Sequence, residues 1–332
     1  MRTRIKVAQF GLGPIGVETL KLAASKSWIE IVGGVDIDPA KTGKDLATIT
    51  GVAALRGRKV YASLDALLRR ARPDVILHTA VSRLRAAFEQ IKPMVQEGFS
   101  VVSSCEELVF PQLRDPRLAK QLDALSRRTG ARVVGAGVNP GFAMDVLPLC
   151  LSGVSCTAKS MSIERVVNAS TRREPLQRKI GSGRPPREFR RELRAGTAGH
   201  AGLKDSVALL AHGLGWKLGK LKESADVVIA QKNIQTKFLR VKKGQACGIH
   251  QRAEAQCAGN RRLTLDLKMY LDAPEPRDRV VIEGEPPLEL IVAGGIAGDP
   301  ATAAALVNTI PRLLSVKPGL VLLTGLPVPR FC

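Results

Sequence analysis

Gly11-Leu12-Gly13-Pro14-Ile15-Gly16 follows a short apolar run, Ile5 to Phe10, and opens a segment with helical spacing from Ile15 to Ser25. In that order of strand, turn and helix, a Gly-x-Gly-x-x-Gly is a diphosphate cradle. Gly11 permits a tight turn, Gly13 lets a ligand approach the backbone, and Gly16 lets helix pack on strand. The amides at the start of the helix, around Pro14 and Ile15, face the phosphate charge. Twenty residues beyond Gly16, a second β-branched run, Ile29 to Val35, ends at Asp36. A carboxylate there accepts hydrogen bonds from an adenosine ribose and repels a 2′-phosphate, so NAD is favoured. Lys41 and Lys44 would pair with that phosphate if Asp36 turned away, so NADP stays open.

Further chemistry-bearing residues follow later strand-like runs: Thr79, Ala80 and Ser82 after Val75 to Thr79, Ser104-Cys105-Glu106-Glu107 after Ser100 to Ser104, and Asn139 after Arg132 to Ala136. In parallel sheets ligands sit beyond the carboxyl ends of the strands, which makes these segments expected cofactor contacts. Two adjacent carboxylates at such a place are candidates for proton transfer, and the spacing alone does not choose between Glu106 and Glu107. The competing structural role is a glutamate at a helix start, favoured by the helix dipole. Asn139 and Phe142 are placed to meet a nicotinamide carboxamide and ring. Phe142, Met144 and His200 are expected substrate-pocket residues, and His78 is expected either to touch cofactor or to pack.

The elements that must position these residues form two patterns. To about residue 145, short apolar runs alternate with helical segments at Leu64 to Arg70, Arg83 to Glu97 and Arg117 to Arg128, predicting βαβ units in a doubly wound parallel sheet of Rossmann type. From 146 to 299, strand-like alternation such as Ser160 to Val167 and Leu263 to Tyr270, with a helix from Lys204 to Leu214, predicts an α+β unit with a mostly antiparallel sheet. That unit is expected to bind substrate and to dimerise. A closing helix, Ala301 to Leu314, with Asp299 as its N-cap, is expected to return with residues 300–332 to the first unit.

Of the 332 residues, 51 are Lys or Arg and 30 are Asp or Glu, a net charge of +21, whereas Phe, Tyr and Trp make up only 4%. Charge invites anionic partners, but scarce aromatics argue against a single-stranded nucleic-acid site. The densest basic segment, Arg172 to Arg194, carries nine cations against three glutamates and is expected to be a solvated loop or helix face. Arg172 and Arg173 are also weighed there as receptors for an anionic group of the substrate. Six cysteines without a Cys-x-x-Cys pair, and only four histidines, indicate neither metal site nor disulfide framework, and no apolar stretch is long enough for a membrane span. A reducing, cytoplasmic setting is expected, with no nucleic-acid or membrane partner.

The sequence resembles the 2,4-diaminopentanoate dehydrogenases and the related native amine dehydrogenases, relatives of dihydrodipicolinate reductase. The resemblance covers nearly the whole chain. It is carried by the glycine turn with Val35-Asp36-Ile37-Asp38-Pro39-Ala40-Lys41, by Val101 to Leu108, by Gly137-Val138-Asn139-Pro140-Gly141-Phe142, by Gly199-His200-Ala201-Gly202-Leu203, and by Gly294 to Asp299. It implies an NAD(P)-dependent oxidoreductase acting on CH-NH2 donors. The implied reaction is oxidative deamination of an amine, or reductive amination of a ketone or aldehyde with ammonia, by a homodimer with a catalytic glutamate in Cys105-Glu106-Glu107-Leu108. The alternatives are a 2,4-diaminopentanoate dehydrogenase proper and a dihydrodipicolinate-reductase-like imine reductase, the latter disfavoured because the chain has no His-His pair. The alternative outside catalysis is a dinucleotide sensor or nucleic-acid-binding protein.

Overall fold

In the computed structural model, which describes residues 4–332, the chain divides into two units. One runs to Phe142 and takes up Ala297–Cys332, and the other is Ala143–Ile296.

The first unit contains, in chain order, β1 (Ile5–Phe10), α1 (Pro14–Ala24), β2 (Ile29–Val35), α2 (Leu46–Thr50), β3 (Val60–Tyr61), α3 (Leu64–Leu68), β4 (Val75–His78), α4 (Leu84–Gln96), β5 (Ser100–Ser103), α5 (Pro116–Thr129) and β6 (Arg132–Gly135). β-Branched and leucine-rich strands that are buried on both faces require helices on both sides, and the sheet is wholly parallel. One layer of the core is built from Ile76, Val101 and Val133 of the strands against Phe88, Ile91 and Met94 of α4 and Leu122 of α5. Gly130, left-handed at φ 78°, ends α5, and Asp115 caps its start by accepting from the amides of Arg117 and Leu118.

The second unit holds α6 (Val146–Leu151), β7 (Thr157–Asn168), α7 (Glu174–Lys179), α8 (Pro186–Arg194), α9 (Leu203–Gly213), β8 (Leu218–Ile229), the short β9 (Ile234–Gln235) and β10 (Arg240–Val241), β11 (Ala246–Cys257), β12 (Arg261–Tyr270), β13 (Arg277–Glu285) and β14 (Leu288–Ala293). Its six-stranded sheet has the order β14-β13-β7-β12-β11-β8, antiparallel except between β7 and β12. Period-two patterning explains its two faces: Leu263, Leu265 and Leu267 are buried while Thr264, Asp266 and Lys268 are half-exposed. α9 packs on β8, β11 and β12. The basic segment proves to contain two helices, α7 and α8, because Leu176, Phe189 and Leu193 give each turn an apolar side that the surrounding arginines conceal in the sequence.

On the buried face of this sheet Arg165 donates from Nη1 to both oxygens of Asp278, at 2.6 and 2.7 Å, and from Nη2 to the Ile296 carbonyl at 2.7 Å. The Ile296 amide returns a bond to Asp278 Oδ2. A buried charge with its partner removed is strongly destabilising, so Asp278→Ala is expected to cost about 3–5 kcal/mol, read as a lower urea midpoint. An unchanged midpoint would refute that role.

After the second unit, α10 (Gly298–Leu314) packs on α1, and β15 (Gly319–Leu320) adds beside β6, completing a sheet of order β15-β6-β5-β4-β1-β2-β3. α10 starts earlier than its sequence signals suggest. Ala297 occupies the N-cap position, and Asp299 lies inside the first turn, where its charge favours the helix dipole. No helix among the described residues is long and apolar enough to cross a membrane.

Candidate active site

The sheet order sets the site. β1 lies between β2 and β4, so the chain leaves β1 toward one edge and later elements build toward the other, opening a crevice at the carboxyl ends of the strands. Along that edge of the first unit lie, in order, the segments carrying Asn139, Glu106 and Glu107, Thr79 to Ser82, the glycine turn and Asp36.

The glycines have distinct reasons. Gly11 is left-handed at φ 87°, and a Cβ there would stand 3.0 Å from the Thr79 carbonyl. At Gly16 a Cβ would lie 1.9 Å from the Gly11 oxygen, so only glycine lets α1 start against this turn. A Cβ on Gly13 would meet nothing within 4 Å. The turn is therefore closed toward the protein and open at Gly13, where the first turn of α1 presents its amides, with Pro14 at its first position. Thr79 braces this cradle: its hydroxyl donates to the Gly11 carbonyl at 2.9 Å and accepts from Gln9 Nε2 at 2.8 Å. The expected cofactor contact at Thr79 thus has a scaffolding duty for its hydroxyl.

Asp36 closes the other side. Its Oδ2 accepts from the Leu12 amide at 2.6 Å and its Oδ1 from the Asp38 amide at 2.9 Å. Lys41 Nζ stands 3.4 Å from Asp36 Oδ2 and 3.2 Å from Asp38 Oδ2. Partial burial works against the Lys41 charge, but Asp38 and Asp36 outweigh it and hold its pKa above the usual lysine value. Asp38 is lowered, chiefly by the Ala40 amide and by Lys41.

The two glutamates, adjacent in sequence, have different surroundings. Glu107 is 7% exposed; its Oε2 accepts from the Leu84 amide at 2.8 Å and its Oε1 from Arg83 Nη1 at 2.8 Å, with Arg114 Nε 3.8 Å away. It caps the start of α4 from a neighbouring turn. Its own amide donates to the Ser82 carbonyl at 3.4 Å, and the Ser104 amide donates to the His78 carbonyl at 2.9 Å, so the turns after β4 and β5 are laced together. Glu106 is only partly buried and opens the same short turn. Close backbone packing fixes this turn from β6, since a Cβ on Gly135 would lie 2.5 Å from the Leu108 carbonyl carbon. Between the acids and the strand, burial pushes the Cys105 thiol up to about 12, which leaves it protonated and inert.

His78 packs. It is fully buried, stacks on Phe10 with centroids 5.5 Å apart, and spends both ring nitrogens internally, Nε2 at 2.8 Å from Gln90 Oε1 and Nδ1 at 2.8 Å from Ser103 Oγ. Gln90 Oε1 can only accept, so Nε2 carries the proton, and Nδ1 accepts from the Ser103 hydroxyl, whose oxygen also accepts from the Cys105 amide at 3.1 Å. Burial lowers the His78 pKa to about 4. The unfolded residue titrates near 6.5, so between these values the unfolded chain takes up the proton and stability falls as pH falls. A shift of this size is worth about 3 kcal/mol. The urea midpoint is therefore expected to drop from pH 7 to pH 4.5, and to drop less in His78→Gln; equal slopes in both proteins would exclude His78 as the cause.

Asn139 remains. Both polar atoms of its carboxamide are buried without a hydrogen-bond partner, an arrangement that costs about 1–3 kcal/mol per atom unless a ligand completes it. A nicotinamide carboxamide has the matching donor and acceptor. With the open face of Gly13, this orphaned amide shows that the residues present fit a nicotinamide dinucleotide. Phe142 ends the first unit. Met144 and His200 belong to the second, where Met144 is wholly buried and the His200 backbone is clamped by the Gln251 side chain at 2.8 Å in both directions. Sequence reasoning did not select Arg83 or Gln90, although Arg83 directly follows Ser82 and Gln90 lies two turns further along α4.

The 2,4-diaminopentanoate dehydrogenase C-terminal domain model matches residues 142–332. A 2,4-diaminopentanoate dehydrogenase of Acetoanaerobium sticklandii is 29% identical over 338 residues, covering 98% of this chain and 94% of the relative. An amine dehydrogenase of Streptomyces virginiae is 25% identical over 346 residues, covering 95% and 94%. The amine dehydrogenase from Mycobacterium smegmatis superposes with a TM-score of 0.89 at 22% identity, covering 100% of this chain and 98% of that one. A model match over more than half of the sequence, with relatives aligned end to end, establishes that the chain belongs to the 2,4-diaminopentanoate dehydrogenase family.

Proposed function

We propose that the chain is an NAD(P)-dependent amine dehydrogenase in which Glu106 is the catalytic acid-base group and Asn139 holds the nicotinamide. What supports the assignment is the contrast within the acidic pair: the Glu107 carboxylate is buried and engaged by the Leu84 amide and Arg83, whereas Glu106 is partly exposed just beyond the carboxyl end of β5. When bound, the dinucleotide supplies or accepts the hydride. The chain's own part is electrostatic and protonic. Glu106 holds the substrate ammonium, moves protons as ammonia adds to a carbonyl and water leaves, and favours the cationic iminium over the neutral ketone, an advantage that grows as water is excluded.

The first unit serves as the dinucleotide-binding domain, with Gly11, Gly13, Pro14, Ile15, Gly16, Asp36, Lys41, Thr79, Ala80, Ser82 and Ser104 around the coenzyme. The second serves as the substrate and dimerisation domain and carries the substrate residues Met144 and His200, while Phe142 is the substrate residue of the first. Asp36, which accepts from the Leu12 amide beside the glycine turn, is assigned to the adenosine ribose and favours NAD. The family resemblance supports a homodimer, and all six cysteines are free thiols, in keeping with the reducing, cytoplasmic setting that the sequence suggests.

The test is NADH and NADPH oxidation against short ketones, aldehydes and 2-amino-4-oxopentanoate, with and without ammonium. Turnover that needs both a carbonyl compound and ammonium is the expected result. Oxidation that proceeds equally without ammonium would refute amine chemistry.

A further inference from the structure

The basic segment is not absorbed by any of this chemistry, and part of it converges with a second cationic element. From residue 227 to residue 253 the chain contains no Asp or Glu, while Lys232, Lys237, Arg240, Lys242 and Lys243 fall within one hairpin built on β9 and β10. That hairpin is fixed rather than loose. Thr236 Oγ1 accepts from the amides of Phe238 and Leu239 at 3.1 and 2.9 Å, and donates to Gln177 Oε1, a wholly buried side chain on α7, at 2.9 Å. The Lys243 amide donates to Asn233 Oδ1, the Lys242 amide to Gln245 Oε1, and Gln245 Nε2 to the Gly183 carbonyl. The tip is thereby docked on the basic segment, two residues from Lys179.

The charge on this hairpin is largely unpaired. In the same unit Arg178, Arg184, Arg190, Lys204, Arg252, Lys268, Arg277 and Arg279 each pair with a carboxylate. Lys232 pairs with Asp272. Lys179, Lys237, Arg240, Lys242 and Lys243 are exposed and make no ion pair among the described residues. Among them stands Phe238, 40% exposed, with Lys237 Nζ 5.6 Å from its ring centroid.

We infer that this hairpin face is a docking surface for a single-stranded polynucleotide. Cations track the phosphates, and the exposed ring offers a base a stacking platform, the combination on which sequence-tolerant single-strand binding rests. An acidic membrane would need more apolar area than one half-exposed phenylalanine, since charge alone gives only about 1 kcal/mol per basic residue. The low aromatic content of the whole chain argues against an extended stacking groove, and this surface requires only one ring. The inference is independent of the dehydrogenase reading.

The test is fluorescence anisotropy of a labelled oligothymidylate of about 20 nucleotides, titrated with the full chain between about 50 and 200 mM KCl. With five contributing cations the logarithmic salt slope is expected at about −3.5, about a 130-fold loss of affinity over that range. Replacing Lys237, Arg240, Lys242 and Lys243 together by Gln should flatten the slope to about −1, whereas exchanging Lys for Arg and Arg for Lys at these positions should keep affinity within about threefold. Phe238→Ala should weaken binding by roughly 5- to 100-fold. NADH oxidation and the thermal midpoint should stay at the parent values throughout, which separates lost binding from lost folding. The inference fails if no complex forms at the lowest salt, or if the Gln variant binds like the parent. It also fails if inorganic polyphosphate or phosphatidylserine vesicles bind as tightly as the oligonucleotide and Phe238→Ala binds like the parent.

Discussion

Glu106→Gln is expected to lower kcat roughly a thousandfold while leaving the thermal midpoint and NADH binding unchanged, and Glu107→Gln is expected to do the reverse. Both effects are electrostatic, but the charge is used differently. A glutamine at 106 keeps shape and polarity and loses both the proton-transfer group and the negative charge that favours an iminium, effects that reach about 10²–10⁴-fold and 10²–10³-fold respectively. At 107 the carboxylate accepts from the Leu84 amide and from Arg83 in a nearly dry position. Glutamine there still offers one acceptor to Leu84 but turns an NH2 toward a guanidinium, which costs about 2 kcal/mol of stability by the usual worth of charge-assisted bonds. Circular-dichroism melting and steady-state ammonium-dependent NADH oxidation read the two effects separately. Loss of turnover in Glu107→Gln at full stability, with Glu106→Gln active, would invert the assignment and remove the capping argument with it.

The different surroundings of the two glutamates also mark where sequence reading stops. The glycine turn was legible because its chemistry is local: three glycines, a strand before and a helix after define both the contact and the reason for each residue. Strands β1 and β2 were legible to the residue because β-branched runs bounded by turns have little else to do. The glutamates were legible only as a pair. What separates them is the start of α4, which lies more than twenty positions earlier in the chain and meets Glu107 through the neighbouring strand, a contact that no spacing rule encodes. His78 was ambiguous for the same reason, its two partners coming from α4 and β5. Helices α7 and α8 were obscured by composition, since the arginines that solvate their outer faces outnumber the few apolar residues that dock them.

A second large effect is expected at the coenzyme's adenosine end, where Asp36→Asn should shift the ratio of NADPH to NADH affinity by about a hundredfold in favour of NADPH. Holding a carboxylate against a 2′-phosphate costs several kcal/mol. Asparagine removes the charge, yet its carbonyl can still accept from the Leu12 amide, so the cradle keeps its form. Lys41 decides how far the shift goes. Its ammonium is shared between Asp36 and Asp38, and a 2′-phosphate beside Asp36 would compete for the same cation. Lys41→Ala should therefore weaken NADPH more than NADH. Asp38→Asn should strengthen NADPH by releasing Lys41, although Asp38 is mostly solvated and the gain is correspondingly smaller. Equilibrium titration of NADH and NADPH fluorescence measures each ratio without turnover. If Asp36→Asn leaves the ratio unmoved while binding of both coenzymes persists, the carboxylate does not face the ribose, and the preference must be set by residues outside the Asp36-Asp38-Lys41 cluster.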